Sequence, residues 1–315
     1  MDIPQELKEA IEQEITGIKH TDLVEESQKI SEKYRENNGK GQKLVTKESE
    51  ALAYAISRMP ATYCAVYSAL SRTLNNYGKN IETVLDVGAG TGAATWAISN
   101  IIDARQIICL EREEQMRKMG SKLMKTHLAN VEWKQFDLTR DEIQEKSDLV
   151  ITSYVINELT KDDRENAITK MWKATNAVLV IIEPGTPEGF SHILEARNLL
   201  INKGAHIIAP CTHNEKCPIN KDDWCSFYVR VSRSGLHRQA KKGELGYEDE
   251  KFSYIAFSRT PINHPEAVIL RHPQINSGYV KVKLCTGNGI EERTYSKKDK
   301  ELYKKIKKMD AGEIL

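Results

Sequence analysis

The chain has 315 residues, with 40% hydrophobic and 29% charged side chains, and its formal net charge is +1. This balance excludes a disordered or fibrous protein, and the length allows one large domain with appendages or two modest ones. Positive charge is concentrated late in the chain: residues 293–308 hold eight Lys or Arg against two acids, and residues 228–243 hold five against none.

Residues 1–79 are expected to form an N-terminal helical region. Apolar residues recur at three- and four-residue spacing over residues 6–18, 22–37 and 47–74, and Pro60 must break or kink the last of these helices. The first six residues lack both the apolar core of a secretory signal and the Arg-rich pattern of a transit peptide. We therefore expect a cytosolic protein, and no apolar run is long enough to predict a membrane partner.

Short β-branched runs alternate with amphipathic stretches over residues 80–262. Strands are predicted at residues 83–87, 106–111, 131–136, 149–153, 177–183, 206–209 and 252–257. A capping-box pattern of Thr160 and Asp163 introduces a predicted helix at residues 161–174. The alternation predicts an α/β domain with a mostly parallel sheet covered on both faces. Residues 263–315 are expected to form a small C-terminal module with one strand at residues 278–284 and a basic tail.

A glycine-rich turn follows the first predicted strand. Gly88, Gly90 and Gly92 let the backbone approach a ligand closely, because no Cβ intervenes. Their G-x-G-x-G spacing differs from the G-x-G-x-x-G of dinucleotide binders. With Asp86 at the end of the strand, the pattern is typical of a class I S-adenosylmethionine-dependent methyltransferase, a Rossmann-like fold, and suits the amino-acid end of that cofactor.

Two further carboxylates lie where this cofactor would need them. Glu111 ends the second strand, where a carboxylate can accept hydrogen bonds from both ribose hydroxyls. Asp137 follows the third strand, where a side chain commonly meets the adenine amine; the alternative is that Asp137 caps a helix from Leu138 onward. We therefore predict S-adenosylmethionine as the cofactor.

The predicted methyl-acceptor edge contains Asn157 and Glu158, which follow the fourth strand, and the rigid turn of residues 183–187. This edge has neither an Asp-Pro-Pro-Tyr motif for an exocyclic amine nor a Pro-Cys pair for covalent attack on a pyrimidine. The catalytic residues are therefore unassigned.

Four cysteines form a candidate metal site: Cys211, Cys217, Cys225 and Cys285. Four thiolates could hold zinc or a [4Fe–4S] cluster. The gaps of five and seven residues do not match paired zinc knuckles, and the Cys217-Pro218 pair with a distant fourth cysteine favours iron–sulfur. The alternative is that these are unlinked reduced thiols, as we expect for Cys64 and Cys109 in apolar segments.

A metal at these cysteines would join the insertion at residues 210–227 to the C-terminal module. His213 is either a substitute ligand or a solvent-facing group. The basic residues that follow, with aromatic residues beside them, suit RNA phosphates and unpaired bases. The basic residues are Arg230, Arg233, Arg238, Lys241 and Lys242, and the aromatic residues are Trp224, Phe227 and Tyr228. Core packing is the alternative for each aromatic, and a solvated helix face is the alternative for the basic tail.

From about residue 50 to its end, the chain resembles the mitochondrial-type small-ribosomal-subunit-associated methyltransferase-like family, which also has bacterial and archaeal members. The matching stretches are residues 58–63, 86–96, 157–159, 183–187, 211–227, 248–254, 284–285 and 310–312. The resemblance implies a factor for assembly of the small ribosomal subunit that binds its rRNA, with a [4Fe–4S] cluster on Cys211, Cys217, Cys225 and Cys285. A monomer is expected.

Three functional hypotheses follow. The first is an S-adenosylmethionine-dependent methyltransferase that acts on small-subunit rRNA, and the intact loop with Glu111 favours it. The second is an assembly factor without turnover, which the missing acceptor motif favours. The third is a small-molecule methyltransferase with a structural zinc site.

Overall fold

The computed structural model describes residues 1–36, 43–220, 222–240 and 244–315. Ten α-helices lie in the described residues. They are α1 (Gln5–Ile15), α2 (His20–Glu36), α3 (Glu48–Ser57), α4 (Met59–Tyr77), α5 (Ala93–Ser99), α6 (Glu114–Met124), α7 (Lys161–Ala174), α8 (Pro187–Ile201), α9 (Gly235–Ala240) and α10 (Lys300–Ile306).

Two sheets are present in the described residues. The strands are β1 (Thr83–Val87), β2 (Gln106–Glu111), β3 (Val131–Gln135), β4 (Ser147–Ser153), β5 (Thr175–Pro184), β6 (His206–Ala209), β7 (Phe227–Ser232), β8 (Tyr247–Ser258), β9 (Ala267–Ile269), β10 (Gln274–Asn276), β11 (Tyr279–Thr286) and β12 (Gly289–Ser296). The first eight strands form the large sheet, and the last four form the small one.

The large sheet has the strand order β3-β2-β1-β4-β5-β8-β6, and β7 pairs with the free part of β8. Strands β1 to β5 are mutually parallel, whereas β8 runs antiparallel to its neighbours. Parallel strands with one antiparallel strand next to the last are the topology of class I methyltransferases. The predicted fold class is therefore confirmed. The strand order of the sheet changes direction between β1 and β4, and ligands of such sheets bind in the crevice at the carboxyl ends of the strands at this switch point.

Side chains alternate between two cores, one on each face of this sheet. Leu85 and Val87 face a core that contains α7 and α8, whereas Val84 faces the core that contains α4 and α5. Helices α1 to α3 pack into the second core, so the N-terminal helices extend the same layer. Such burial on both faces explains the nearly uninterrupted apolar sequences of β1, β4 and β5.

Pro60 separates α3 from α4, as predicted. It occupies the first turn of α4, where a missing N–H costs nothing, and Arg58 stands between the helices. Gly78 ends α4 with φ of 67°, a left-handed conformation that favours glycine. The predicted helix end at Asn37 lies outside the described residues.

The C-terminal module differs from its predicted single strand. Strands β9, β11 and β12 pack a small core of their own against Tyr303 and Ile306 of α10. β12 was missed because charged residues interrupt its sequence and none of its residues is fully buried. In the part of the chain that the structure describes, no helix is long and apolar enough to cross a membrane.

Candidate cofactor pocket and cysteine site

The predicted glycine loop forms a tight turn at the carboxyl end of β1. The amides of Gly88 and Ala89 both donate to the Leu110 carbonyl of β2, at 2.8 and 3.1 Å, which holds the loop against the neighbouring strand. All three glycines have positive φ, between 57° and 87°. A Cβ at Gly88 would lie 2.4 Å from the Val155 side chain, and one at Gly92 would lie 2.0 Å from Met124.

Glu111 fixes the same loop from the end of β2. Its carboxylate accepts the Gly90 amide at 2.8 Å and the Glu113 amide at 2.8 Å. Burial raises the pKa of Glu111, and these backbone hydrogen bonds oppose the rise. Each carboxylate oxygen can accept a second hydrogen bond, so Glu111 can still receive ribose hydroxyls.

Gly88, Gly90, Glu111 and Asp137 line one open cavity of about 750 Å³ at the carboxyl ends of β1, β2 and β4. Asp137 accepts hydrogen bonds from the amide and hydroxyl of Thr139 and starts no helix, so the alternative of a helix cap is wrong. Burial raises the pKa of Asp137, but the Thr139 hydrogen bonds outweigh burial and hold the pKa below its ordinary value.

Asp86 and Gly92 do not line this cavity and lie behind the turn instead. Asp86 is fully buried, and one carboxylate oxygen accepts the Thr95 hydroxyl at 2.8 Å. Its other oxygen has no hydrogen-bond partner among the described residues. Burial raises the pKa of Asp86 to about 7. An unpaired buried carboxylate beneath the loop is suited to a cationic ligand group or an ordered water.

The N-terminal helices cover the rim of the cavity, and no sequence motif predicts this cover. Glu113 accepts the amides of Leu44 and Val45 at 2.6 and 2.8 Å and so attaches this segment to the pocket. Tyr34 of α2 and Tyr54 of α3 also line the cavity, with ring centroids 5.5 Å apart. These residues come from distant sequence positions with no motif spacing between them.

Glu158 lies at the acceptor side of the cavity, in the 3-10 turn of residues 156–158. Its side chain forms no hydrogen bond or ion pair with another described residue. Burial raises the pKa of Glu158 to about 8, and the charges of Glu111 and Glu113 add to the rise. The neighbouring Tyr154 has a φ of 59°, an uncommon value for a residue with a side chain, and its hydroxyl donates to Glu250 of β8 at 2.8 Å.

Two buried charged groups hold the turn that carries Glu158. Glu183, at the end of β5, accepts the Ile156 amide at 3.2 Å, and Arg164 donates to the Ile156 carbonyl at 3.2 Å. Asn157, the other predicted acceptor-edge residue, belongs to the same turn. The acceptor edge is therefore built from residues whose backbone is fixed on both sides.

The four predicted cysteines, and His213 with them, line a second cavity of about 540 Å³. Cys285 belongs to β11, and the other three belong to the loop between β6 and β7. Asp223 ties this loop to the C-terminal module through Lys283 at 2.9 Å and through Arg271. Cys64 and Cys109 are buried elsewhere, in α4 and β2.

Burial favours the neutral thiol at three of the four cysteines. Burial raises the pKa of Cys211 to about 11, and it raises the pKa of Cys225 and of Cys285 as well. Within the described ranges, no group of three or more His, Cys, Asp or Glu side chains is arranged to hold a metal ion. Thiols ionise when a metal binds, so ligation would require the sulfurs to close in on the ion.

Two arginines of the predicted basic segment, Arg230 and Arg233, are neutralised by acidic partners in the fold. Arg230 forms two hydrogen bonds with Asp249, at 2.8 and 3.0 Å, and Arg233 pairs with Glu248 at 2.8 Å. These pairs cross between β7 and β8, which sequence analysis could not anticipate because it missed β7. Lys241 and Lys242 lie outside the described residues.

The aromatic residues of the same segment also serve the fold. Phe227 is buried in the core, the Trp224 ring nitrogen donates to the Gly185 carbonyl at 3.0 Å, and the Tyr228 hydroxyl donates to Asp310 at 2.7 Å. The alternative of core packing is therefore correct for Phe227, whereas Trp224 and Tyr228 are half-buried and hydrogen-bonded within the fold. Arg238 of the predicted basic segment is exposed, and further exposed positive charge lies around α10, at Lys297, Lys298, Lys300, Lys304, Lys305, Lys307 and Lys308.

The strand order and the glycine-loop cavity define a protein of the class I S-adenosylmethionine-dependent methyltransferase fold. A family model described as "Mitochondrial small ribosomal subunit Rsm22" matches residues 48–315. The chain therefore belongs to the Rsm22 family, and the resemblance inferred from its motifs is confirmed.

Two curated relatives give the scale of the similarity. The human mitochondrial ribosome assembly protein METTL17 is 26% identical over 306 residues, which cover 87% of this chain and 64% of METTL17. The mitochondrial Rsm22-cox11 tandem protein 2 of Schizosaccharomyces pombe is 27% identical over 253 residues, which cover 69% of this chain and 33% of the tandem protein. The chain thus spans somewhat under two thirds of METTL17 and one third of the tandem protein.

Solved methyltransferase structures are more distant. The structure of magnesium protoporphyrin IX methyltransferase from Synechocystis aligns with a TM-score of 0.44 and 14% identity. The alignment covers 73% of this chain and 91% of the methyltransferase chain. A SAM-dependent methyltransferase from Aquifex aeolicus aligns with a TM-score of 0.43 and 15% identity, and the alignment covers 69% of this chain and all of the Aquifex chain. The fold assignment depends on the strand order, because scores this low indicate only remote similarity.

The predicted cytosolic location is wrong. The description of the matched family names the mitochondrial small ribosomal subunit, and METTL17 and the tandem proteins are mitochondrial. The prediction relied on the composition of six residues at the start of the chain. Such a short segment reports on targeting only if it is the segment that a targeting system reads, which composition alone does not establish.

Proposed function

We propose that this protein is an assembly factor for the small ribosomal subunit that binds S-adenosylmethionine and rRNA. Family membership and the relative METTL17, a ribosome assembly protein, support the ribosomal role. The observation that carries cofactor binding is the loop of Gly88, Gly90 and Glu111 around a single cavity at the switch point of the sheet.

The residues present fit the cofactor at both ends. Gly90 leaves room at the cavity, because a Cβ there would have only Met116 within 4 Å, and Glu111 has free acceptor capacity for ribose. Beneath the loop, the unpaired oxygen of Asp86 offers negative charge toward the methionine ammonium, directly or through water. Asp137 stands at the side of the cavity where the adenine amine would lie.

Binding can be tested by calorimetric titration of S-adenosylmethionine into the wild-type chain and the Gly90→Arg variant. An arginine there would fill the cavity, so we expect affinity to fall at least tenfold. Gly204→Arg is the matched control, because Gly204 also has positive φ, of 80°, but has no neighbouring atom within 4 Å. Equal affinity in Gly90→Arg and wild type would contradict the pocket, and equal losses in both variants would indicate general misfolding.

The second part of the proposal is a metal centre held by Cys211, Cys217, Cys225 and Cys285. Their convergence on one cavity from two separate segments supports it, and a thiol-only donor set suits zinc or a [4Fe–4S] cluster. The Cys217-Pro218 pair favours iron–sulfur. When bound, the centre would supply a structural link between the β6–β7 loop and β11, and no catalytic step is assigned to it.

Anaerobic reconstitution with iron and sulfide, or with zinc, tests this site by metal analysis and visible absorbance. Wild type and Cys64→Ser should take up metal, because Cys64 is buried in α4 away from the cavity, whereas Cys225→Ser should lose it. Brown protein with broad visible absorbance identifies iron–sulfur, and colourless protein with stoichiometric zinc identifies zinc. Equal uptake by Cys225→Ser and Cys64→Ser would contradict the assignment.

Methyl transfer to rRNA is the more specific form of this function. Glu158 favours it, because an unpaired carboxyl group with a pKa of about 8 lies at the acceptor side of the cofactor cavity. Transfer of a tritiated methyl group to immature small subunits distinguishes the enzyme from an assembly factor without turnover. Label that depends on an intact Gly90 supports the enzyme, and its absence in a preparation that binds the cofactor supports the second hypothesis.

A further inference from the structure

Arg197 of α8 is a buried cation at the wall of the cysteine cavity. The side chain is 2% exposed and lines the cavity together with the four thiols. One terminal nitrogen donates to the carbonyls of His213, at 3.2 Å, and of Glu215, both in the loop between Cys211 and Cys217. Its Nε is buried without a hydrogen-bond partner among the described residues.

No carboxylate of the described chain forms an ion pair with Arg197, which is unusual for a buried guanidinium. Arg164 on the adjacent helix α7 shows the ordinary arrangement, because it is also buried yet pairs with Glu195 at 2.9 Å. An arginine keeps its charge in proteins, and burying a charge without a counter-charge is unfavourable. The fold therefore presents a permanent positive charge to a cavity that contains four cysteines and no carboxylate among its described lining residues.

A metal centre would supply the missing negative charge. Four thiolates around a doubly charged zinc ion, or around a doubly charged iron–sulfur core, leave two negative charges in excess. Negative charge delocalised over sulfur is what an adjacent guanidinium would stabilise, and Arg197 already exerts its charge on Cys211.

We propose that Arg197 is the counter-cation of a thiolate-bound metal centre, an inference that rests on the metal site proposed above. Its charge stabilises the loaded, anionic form of the site, and its two carbonyl hydrogen bonds hold the Cys211–Cys217 loop in position. Arg197 is a positioning and charge-balancing residue that does not itself ligate the metal. It links α8 of the methyltransferase-fold sheet to the cysteine loop.

The test compares wild type, Arg197→Met, Arg197→Lys and the control Arg164→Met, each reconstituted with zinc or with iron and sulfide. Metal affinity is measured by chelator competition, and Tm is measured with and without metal. We expect Arg197→Met to lose about 10- to 100-fold in metal affinity, the usual effect of removing an outer-shell partner. Its metal-free Tm should not fall, because an uncompensated charge is removed, whereas the Tm gain on loading should shrink.

Arg197→Lys keeps the charge and should retain most of the affinity. Arg164→Met should lower Tm with and without metal but leave metal affinity unchanged. If the centre is iron–sulfur, loss of the positive charge should also shift its midpoint potential to more negative values, because the reduced cluster carries more negative charge.

If wild type takes up metal and Arg197→Met has the same metal affinity and midpoint potential as wild type, the role of Arg197 is wrong, although the metal site remains supported. A lower metal-free Tm in Arg197→Met with no change in metal affinity would show a merely structural role and would also overturn it. If the wild-type chain itself takes up neither zinc nor iron, both the metal site and the role of Arg197 are wrong.

Discussion

At the scale of single residues, Glu158 combines position and protonation in a way that the sequence did not reveal. Its place at the acceptor edge was predicted, but its raised pKa depends on burial beside Glu111 and Glu113. These carboxylates come from a different strand end, so no sequence spacing indicates their proximity. A group with a pKa of about 8 is mostly protonated at neutral pH and becomes a base only as pH rises.

If the protein transfers methyl groups with Glu158 as general base, the rate should rise with pH and level off above about 8. Glu158→Gln should remove this pH dependence and lower the rate by about 10²- to 10⁴-fold, the usual contribution of general-base catalysis. Cofactor affinity should change little, and single-turnover methyl transfer across pH 6 to 9 measures both effects.

Glu165→Gln is the control, since Glu165 is an exposed carboxylate on α7. It should keep the wild-type rate and pH profile. A Glu158→Gln variant that transfers methyl groups at the wild-type rate would exclude Glu158 as the base.

At the scale of elements, the attachment of residues 43–47 to the pocket depends on one carboxylate. Glu113 accepts two backbone amides, Leu44 and Val45, both of which are buried. Glu113→Ala leaves these amides without a partner, and we expect it to lower the free energy of unfolding by about 2 to 3 kcal/mol. Urea unfolding measures the loss, and limited proteolysis should show earlier cleavage near residue 44.

The adjacent Glu114→Ala is a matched control. Glu114 is exposed and forms a surface ion pair with Lys118, so its removal should cost far less stability than the removal of Glu113. Equal stability losses in the two variants would show that the hydrogen bonds of Glu113 do not hold the segment.

Elements with continuous apolar sequence could be predicted, and elements made by pairing could not. The predicted strands at residues 83–87 and 106–111 coincide with β1 and β2, because burial on both faces leaves a plain hydrophobic pattern. Arg230 in β7 and Arg233 just after it, by contrast, suggested a basic surface from sequence alone. In the structure, acidic residues of β8 pair with both. Cross-strand partners lie 15 to 19 residues away, beyond the range of any local pattern.

The same limit applied to the two candidate sites. The glycine loop and Glu111 were predictable because their spacing follows from a strand-turn-helix unit. Tyr34, Glu113 and Arg197 were missed, since each contributes through tertiary packing alone. Arg197 in particular occupies an ordinary position in an amphipathic helix, and only its lack of a carboxylate partner marks it.

At the scale of the whole molecule, α10 and its flanks carry seven exposed lysines. Replacing Lys304, Lys305 and Lys308 by Gln should weaken binding to small ribosomal subunits. The slope of log affinity against log salt concentration should also become less steep. The change in slope is up to about 0.7 to 0.9 for each phosphate that a lysine no longer neutralises. Filter binding at several salt concentrations measures both quantities.

A control with three exposed lysines elsewhere, Lys19, Lys29 and Lys118, changed to Gln has the same net charge. Its salt dependence should resemble that of the wild type. If both triple variants behave alike, binding responds to net charge only, and α10 is not the contact surface.

Strand β8 joins the two sites of the molecule mechanically. Glu250 accepts the Tyr154 hydroxyl beside the cofactor cavity, and Ser253 donates to the Cys225 carbonyl at 2.7 Å beside the cysteines. Glu250 and Ser253 are three positions apart in the extended strand, a distance of about 10 Å along the chain. Displacement of the cysteine loop would therefore be transmitted along this strand to the wall of the first cavity.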